Sequence, residues 1–308
     1  MNNQFRKFIK SLVSKQPINY LALHIIKVLI ALRLPFPYKS IIHRFPLLNQ
    51  PVPYRVKINK DLSLRFMNLG NSGIENSVYF YGIAGHEPEM LPVIYALAKR
   101  TNCFLDIGAN IGIYSLIISA LNKHCNVYAF EPSPINREWC LRNIKANDFM
   151  NCHLIATAVS NFTGKAKLLN YDSDSSPTLH SKESDNIKGS NVDVDVTTID
   201  AFIEKENPGK IDLVKIDVEL AEPQVLEGMR NCLKHYEPII ICEVLWAQEV
   251  DRIKILMREY GYRAYHIGNK GSLRLNNELD RTGTGDMRNF LFTKKDLSGI
   301  GLSNFEKK

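Results

Sequence analysis

The first sixty residues contain no aspartate or glutamate, yet they carry eleven of the chain's 39 lysines and arginines. The rest of the 308-residue chain holds 28 bases against 32 acids, so the formal net charge of +7 belongs to the N-terminal segment and not to the main domain. An enzyme of nucleic acid is expected to ring its site with basic residues, and no such stripe stands out, which argues against a nucleic-acid partner. Paired cysteines are lacking as well. Cys103, Cys125, Cys140, Cys152, Cys232 and Cys242 show no C-x-x-C spacing, and most sit in apolar runs. This argues against a disulfide framework and a zinc site, and predicts small core residues in a reducing compartment, the cytoplasm. No apolar run nears the roughly 18–20 residues of a membrane span, and there is no signal-type cleavage site, internal repeat or low-complexity tract.

What the N-terminus does have is amphipathic order. Phe5, Phe8, Ile9, Leu12 and Val13 recur at helical spacing, with Arg6, Lys7, Lys10 and Ser14 largely on the other side. A second apolar helix is expected over 18–32, with His24 and Lys27 on its polar stripe. Such basic helices either lie on an anionic membrane face, here the inner one, or pack on the catalytic domain or a partner subunit; the packed use is the commoner. Pro35, Pro37, Pro46, Pro51 and Pro53 then break the chain. The expected organisation is an extension and linker over 1–53, a main domain over 54–300 with an insertion and lid at 160–210, and a flexible tail over 301–308.

From residue 54 a short hairpin is expected over 54–58 and 62–67, turned at Lys60-Asp61, then a helix over 87–99. Strands over 103–107, 126–130, 153–159, 212–218 and 238–244 alternate with helices over 111–121, 135–147, 224–233 and 248–260. An antiparallel pair, 263–267 and 289–293, closes the domain. This alternation predicts an α/β fold, Rossmann-like, with a doubly wound, mostly parallel seven-stranded sheet ending in an antiparallel strand. The insertion is expected to hold strands at 164–169 and 192–198, with a polar lid between them.

Two strand ends carry the sharpest signals. The first strand runs into Asp106-Ile-Gly108-Ala109-Asn110-Ile-Gly112-Ile-Tyr114, a tight glycine turn opening a helix. Gly108 and Gly112 permit close backbone approach. A carboxylate at Asp106 would repel a pyrophosphate, whereas it suits a zwitterionic amino acid with an ammonium group beside a sulfonium. The second strand ends in Glu131-Pro132, nineteen residues after Gly112, close to the spacing at which an acid accepts both ribose hydroxyls. Ala158 and Val159, at the end of the third strand, are where an adenine edge would lie.

The fourth strand ends in Lys215-Ile-Asp217-Val-Glu219, and the fifth in Glu243. Ligands bind at the carboxyl ends of such strands, so these acids are candidate bases or acceptors for hydroxyls. Glu222 reads as a helix-start acid. His180 in the insertion and His266 at a strand end are outside candidates for the base. The strand-end acids could hold a divalent metal, but no ligand spacing points to one.

Taken in order, Asp106-Ile-Gly-Ala-Asn-Ile-Gly112, Phe130-Glu-Pro132, Ala158-Val-Ser-Asn161 with Gly164, Thr198-Ile-Asp200 and Lys215-Ile-Asp-Val-Glu219 resemble the FkbM family of O-methyltransferases, over roughly residues 80–293. The resemblance implies a class I methyltransferase fold and S-adenosylmethionine as cofactor, bound by Asp106, Gly108, Asn110, Gly112 and Glu131. It also implies methyl transfer to a hydroxyl, commonly on a sugar or a polyketide-derived product. One position departs: where the family has glycine after Asp-Val-Glu, this chain has Leu220, which is costly if that backbone needs positive φ. Two rival readings are a nicotinamide oxidoreductase, opposed by Asp106 and the missing G-x-G-x-x-G, and a membrane-tethered cofactor-binding module without turnover. The acceptor that the resemblance implies is a small molecule or glycan carrying a hydroxyl. Nothing indicates an oligomeric state.

Overall fold

The computed structural model describes residues 28, 32, 53–67, 73–171, 178–180, 189–244, 247–280 and 288–307. The basic helix expected over 5–13, nearly all of that over 18–32, the prolines from 35 to 51, most of the lid and the side chain of His180 lie outside the described residues. Two units are present, Met1–His86 and Glu87–Lys308.

In the first unit, β1 (Tyr54–Lys57) and β2 (Ser63–Phe66) form the expected antiparallel hairpin. Asn59 closes the turn by accepting the amides of Asp61 and Leu62. Helix α1 (Gly73–Tyr81) adds Tyr79, whose ring meets Tyr54 edge-on at 5.0 Å.

The second unit is built on an eight-stranded sheet. Helix α2 (Met90–Ala98) precedes β3 (Cys103–Ile107), an entirely buried strand. Helix α3 (Ile113–Leu121), β4 (Asn126–Phe130), α4 (Pro134–Ala146) and β5 (Cys152–Ile155) extend it to one side. The chain crosses to the other side of β3 with β10 (Leu213–Ile216) and β11 (Ile239–Glu243), both parallel to β3. The order reverses between β3 and β10, which opens a crevice at their carboxyl ends. After α8 (Ala247–Glu259), β12 (Arg263–Gly268) and β14 (Asn289–Thr293) form the expected antiparallel pair, with β14 inserted beside β11. The eighth strand, β13 (Ser272–Leu275), lies at the edge; only Leu273 in it is fully buried, too little apolar pattern to read from sequence.

The strand expected over 153–159 is corrected to two pieces. β5 is the last strand of the large sheet, so its continuation has no neighbour there to pair with. Ala158–Val159 instead forms β6, paired with β9 (Gly189–Thr197) in a second sheet of order β6-β9-β7-β8, with β7 (Gly164–Tyr171) and β8 (Thr178–His180). The helix expected over 224–233 is likewise two, after α5 (Ile199–Glu206): α6 (Glu222–Glu227) and α7 (Arg230–His235), broken at Gly228. A Cβ on Gly228 would lie 2.1 Å from the Ser160 carbonyl oxygen, so this break is where the two sheets' connecting segments touch.

One face of the large sheet, with Leu105, Val214, Ile240 and Phe292, packs on α5 to α8 through Phe202, Leu226, Leu233 and Met257. Each such side chain contributes on the order of 1.5–3 kcal/mol by burial. All six cysteines are free and buried. At the C-terminal end Leu302 is buried and the Lys307 amide bonds the Leu273 carbonyl, so the described end of the chain runs beside β13. Among the described residues no helix is long and apolar enough to cross a membrane.

Candidate active site

Sheet register alone assembles the polar face. Registered neighbours point to the same side of a sheet, and residues two apart along a strand share it. Asp106 is registered with Lys215, and Lys215 with Ile241. Two residues on, Asp217 and Glu243 share that side, and Glu243 is registered with Asn289. Helix α3 covers this face with its first turn.

The glycine loop is held from within. Gly108, Asn110 and Gly112 have φ of 82°, 52° and 85°, the left-handed region that glycine and asparagine tolerate. A Cβ on Gly108 would stand 1.8 Å from the Asp217 carbonyl oxygen, and one on Gly112 2.8 Å from the Cys140 sulfur. Close approach of this chain's own β10 end and α4 therefore accounts for both glycines. The amides of Gly108 and Ala109 both bond the Phe130 carbonyl, which ties the loop to the end of β4.

Asp106 is buried. Its Oδ2 accepts the Ser115 amide at 3.0 Å and the Ser115 hydroxyl at 2.6 Å, while its Oδ1 has no hydrogen-bond partner. Burial raises its pKa above the ordinary value, against the lowering by Lys215 and Ser115. Glu131 accepts the Asn110 amide on Oε2 at 2.8 Å and the Ser133 amide on Oε1 at 2.9 Å. Burial pushes its pKa up to about 7, against the lowering by those two amides. Two backbone donors, with the Asn136 side chain beside them, thus fix the carboxylate's orientation. These donor sets fit the expected cofactor: an orphaned carboxylate oxygen for a cationic or N–H group, and an oriented carboxylate for a hydroxyl.

Beyond β10 the backbone leaves the strand, with Glu219 at φ 52° and Leu220 at φ 81°. Strand alternation therefore does not place Asp217 and Glu219 on one side. The two still meet, because this turn carries Glu219 back: one carboxylate oxygen each from Asp217, Glu219 and Glu243 lie within 4.8 Å of one another. Three carboxylates so placed repel unless a proton or a cation lies among them. Lys215 supplies a cation, its Nζ 2.7 Å from Asp217 Oδ2 and 4.7 Å from the centre of the Tyr114 ring. Burial works to lower the Lys215 pKa, but Asp217, Glu87 and Asp106 outweigh it and the net shift is upward. Burial, then the charge and hydrogen bond of Asp217, hold the Glu243 carboxyl well above the usual carboxylate range.

Behind these groups sits Glu87, which accepts the Tyr114 hydroxyl and the Asn289 amide nitrogen, each at 2.6 Å. Tyr114, expected at the cofactor, thus has its phenol engaged by Glu87, and burial pushes that hydroxyl's pKa well up. Sequence reasoning placed Glu87 only within the helix expected over 87–99, and assigned no role to Lys215 or Asn289; a lone lysine inside an apolar strand was the available signal. Pro132 is half-buried beside Glu131, and Ala109 is buried in the loop. Ala158 and Val159 are buried in β6, on the second sheet. His266 is buried in β12 with its ring against Phe290. Thr198 and Asp200 are capping residues: Thr198 accepts the Ala201 amide, and Asp200 accepts the Asn231 and Cys232 amides at the start of α7.

A sheet that reverses order beside a glycine loop, with an acid ending the next strand, defines the Rossmann-like class I methyltransferase architecture. A family model described as the methyltransferase FkbM domain matches residues 106–264, just over half of the chain. The chain belongs to the FkbM family of S-adenosylmethionine-dependent methyltransferases. It is 30% identical over 161 residues to methyltransferase sdnD of Sordaria araneosa, covering 43% of this chain and 61% of that one. The chain thus spans about three fifths of that relative's length. Among solved structures, methyltransferase FkbM of Methylobacillus flagellatus aligns at TM-score 0.42 and 16% identity, covering 70% of this chain and 54% of the other. A SAM-dependent methyltransferase of Agrobacterium tumefaciens aligns at TM-score 0.44 and 11% identity, covering 82% and 73%.

Proposed function

We propose that this chain methylates a hydroxyl of a sugar, glycan or related natural product, with Asp217 or Glu219 taking the hydroxyl proton and Glu243 holding a neighbouring hydroxyl. The observation that carries this reading is the convergence of three carboxyl groups within 4.8 Å, directly beside the glycine loop that packs on Asp217. S-adenosylmethionine supplies an electrophilic methyl group on a sulfonium and departs as the neutral thioether. The chain's own work is to align the acceptor oxygen, exclude water and remove one proton as the new bond forms. An alcohol is far too weak an acid to ionise at neutral pH, so a carboxylate in reach contributes on the order of 100-fold or more. In this reading Asp106 and Glu131 bind the amino-acid and ribose ends of the cofactor through the oxygens that the loop leaves open. Gly108, Ala109, Asn110, Gly112 and Pro132 shape that loop. Ala158 and Val159 keep their proposed place at the adenine edge.

The first experiment is calorimetric titration with S-adenosylhomocysteine, with NAD as control. Micromolar binding that is lost in Glu131→Ala and absent for NAD is the expected result. No binding to folded protein overturns the cofactor assignment. Methyl transfer from labelled cofactor onto a panel of hydroxylated sugars follows, with at least a 100-fold loss expected for the proton acceptor among Asp217→Asn and Glu219→Gln. Binding without transfer across the panel favours the module without turnover. We also place the protein in the cytoplasm, on the strength of its unpaired buried cysteines. The basic segment before residue 54 is a candidate for peripheral contact with an anionic membrane face. Equal co-sedimentation with anionic vesicles of the full chain and a chain lacking residues 1–48 removes that contact.

A further inference from the structure

Strand β10 reads Leu213-Val214-Lys215-Ile216, and its three apolar members are completely buried. Lys215 is only 3% exposed among them. Desolvating an ammonium costs several kcal/mol, and a methionine of similar volume would fill the same place without that cost. The fold therefore does not ask for lysine here. What the ammonium meets is the acid cluster: Asp217 at 2.7 Å, with Asp106, Glu87 and Glu243 close enough to act on it or on its partner, and the Tyr114 ring on its far side.

One carboxylate oxygen of Asp217 and one of Glu243 lie within 4.8 Å of each other, at the ends of neighbouring parallel strands. Two carboxyl groups this close hold one proton between them more readily than both ionise. Their surroundings are unequal, since the ammonium contacts Asp217. We propose that Lys215 is a positioning residue that holds the negative charge on Asp217 and leaves the shared proton on Glu243, dividing the pair into one proton acceptor and one hydrogen-bond donor. The raised Glu243 carboxyl agrees with this division. Among the described residues, the groups facing Asp217 are Lys215 on its own strand, Glu243 from β11, Asp106 from β3, Tyr114 from α3, Glu219 from the following turn and Glu87 ahead of α2. Of these only Lys215 is cationic, so its removal shifts the balance toward protonation. An acceptor hydroxyl entering the cluster then meets a donor at Glu243 and a base at Asp217, rather than two equivalent acids. The assignment rests on the proposed role of Asp217, but its test does not require turnover.

The test is infrared difference spectroscopy of the carboxyl stretch on the full chain near neutral pH. The wild type is expected to show a protonated carboxyl band that Glu243→Gln removes. Lys215→Met is expected to gain one further protonated band, and adding Asp217→Asn is expected to remove that gain. Lys215→Arg is expected to restore the wild-type spectrum. If Lys215→Met does not fold, Lys215→Gln carries the same arm, since it keeps an N–H donor without the charge. No gained band, or a gained band that survives Asp217→Asn, overturns the proposal. Methyl transfer by Asp217→Asn separates the two readings. Full transfer with the expected spectra removes Asp217 as the base while leaving Lys215 as the holder of its charge. Lost transfer with no spectral gain does the reverse.

Discussion

Leu220 and Glu219 are consecutive non-glycine residues in the left-handed region, at φ 81° and 52°. Left-handed backbone costs an L-residue about 1–2 kcal/mol, and Leu220 is 38% exposed, so burial offsets only part of it. Leu220→Gly is expected to raise stability by about 1 kcal/mol, read as a thermal midpoint higher by roughly 2–4 °C in a unit of this size. An unchanged midpoint would mean that the leucine's contacts already balance the strain. Its persistence beside the acid cluster fits a role in shaping the acceptor site, and an unchanged acceptor profile in Leu220→Gly removes that role. Glu131 gives a pH prediction. Its folded pKa of about 7 stands above the ordinary 4.5, so folding favours its protonated form. That contribution is complete below the ordinary value and is lost as pH rises through 7. The apoprotein should lose on the order of 1–3 kcal/mol across this window, and Glu131→Gln should flatten that part of the stability–pH curve. An equally steep curve in the variant places the titration elsewhere.

At the scale of elements, the glycine loop, the end of β4 and the end of β10 form one interlocked joint. Gly108→Ala forces a Cβ to 1.8 Å from the Asp217 carbonyl in addition to its strain at φ 82°. A loss of about 3 kcal/mol or more is expected in urea unfolding. Gly209→Ala is the matched control, because its φ is 81° but nothing lies within 4 Å of the added carbon. It should lose only about 1 kcal/mol, and equal losses at the two positions would deny the close approach any weight. The capping pair behaves differently. Asp200→Ala removes the acceptor for two amides at the start of α7 and should cost about 1–2 kcal/mol, without changing affinity for S-adenosylhomocysteine. Changed affinity would tie Asp200 to the site after all.

For the molecule as a whole, a ligand that binds only the folded state stabilises it in proportion to the logarithm of its concentration. S-adenosylhomocysteine at a hundred times its dissociation constant should add about 2.7 kcal/mol to the unit that carries the site. The Glu131→Ala protein should show no such rise, and a rise in both would move the ribose contact off Glu131. The alternation of strands and helices was readable because burial on both faces demands apolar runs of fixed length, as in Cys103–Ile107. The switch in strand order was readable only through the family likeness. The edge strand β13 was not readable, since an edge needs little apolar pattern. Nor was the departure of Ala158–Val159 to the second sheet, since pairing partners are set by what lies beside a strand.

The sequence by itself determined the glycine loop, the acids at the ends of the first, second, fourth and fifth parallel strands, and the sheet they end. Residue type and strand period are local properties, and they suffice for that much. Only the tertiary structure decided which of those acids act together. Register places Lys215 beside Asp106 and lines Asp217 up with Glu243, and a left-handed turn returns Glu219 to them. It also brings Glu87 and Asn289, 202 positions apart in the chain, into one hydrogen bond. Charge coupling depends on distance through space, which a linear pattern does not carry.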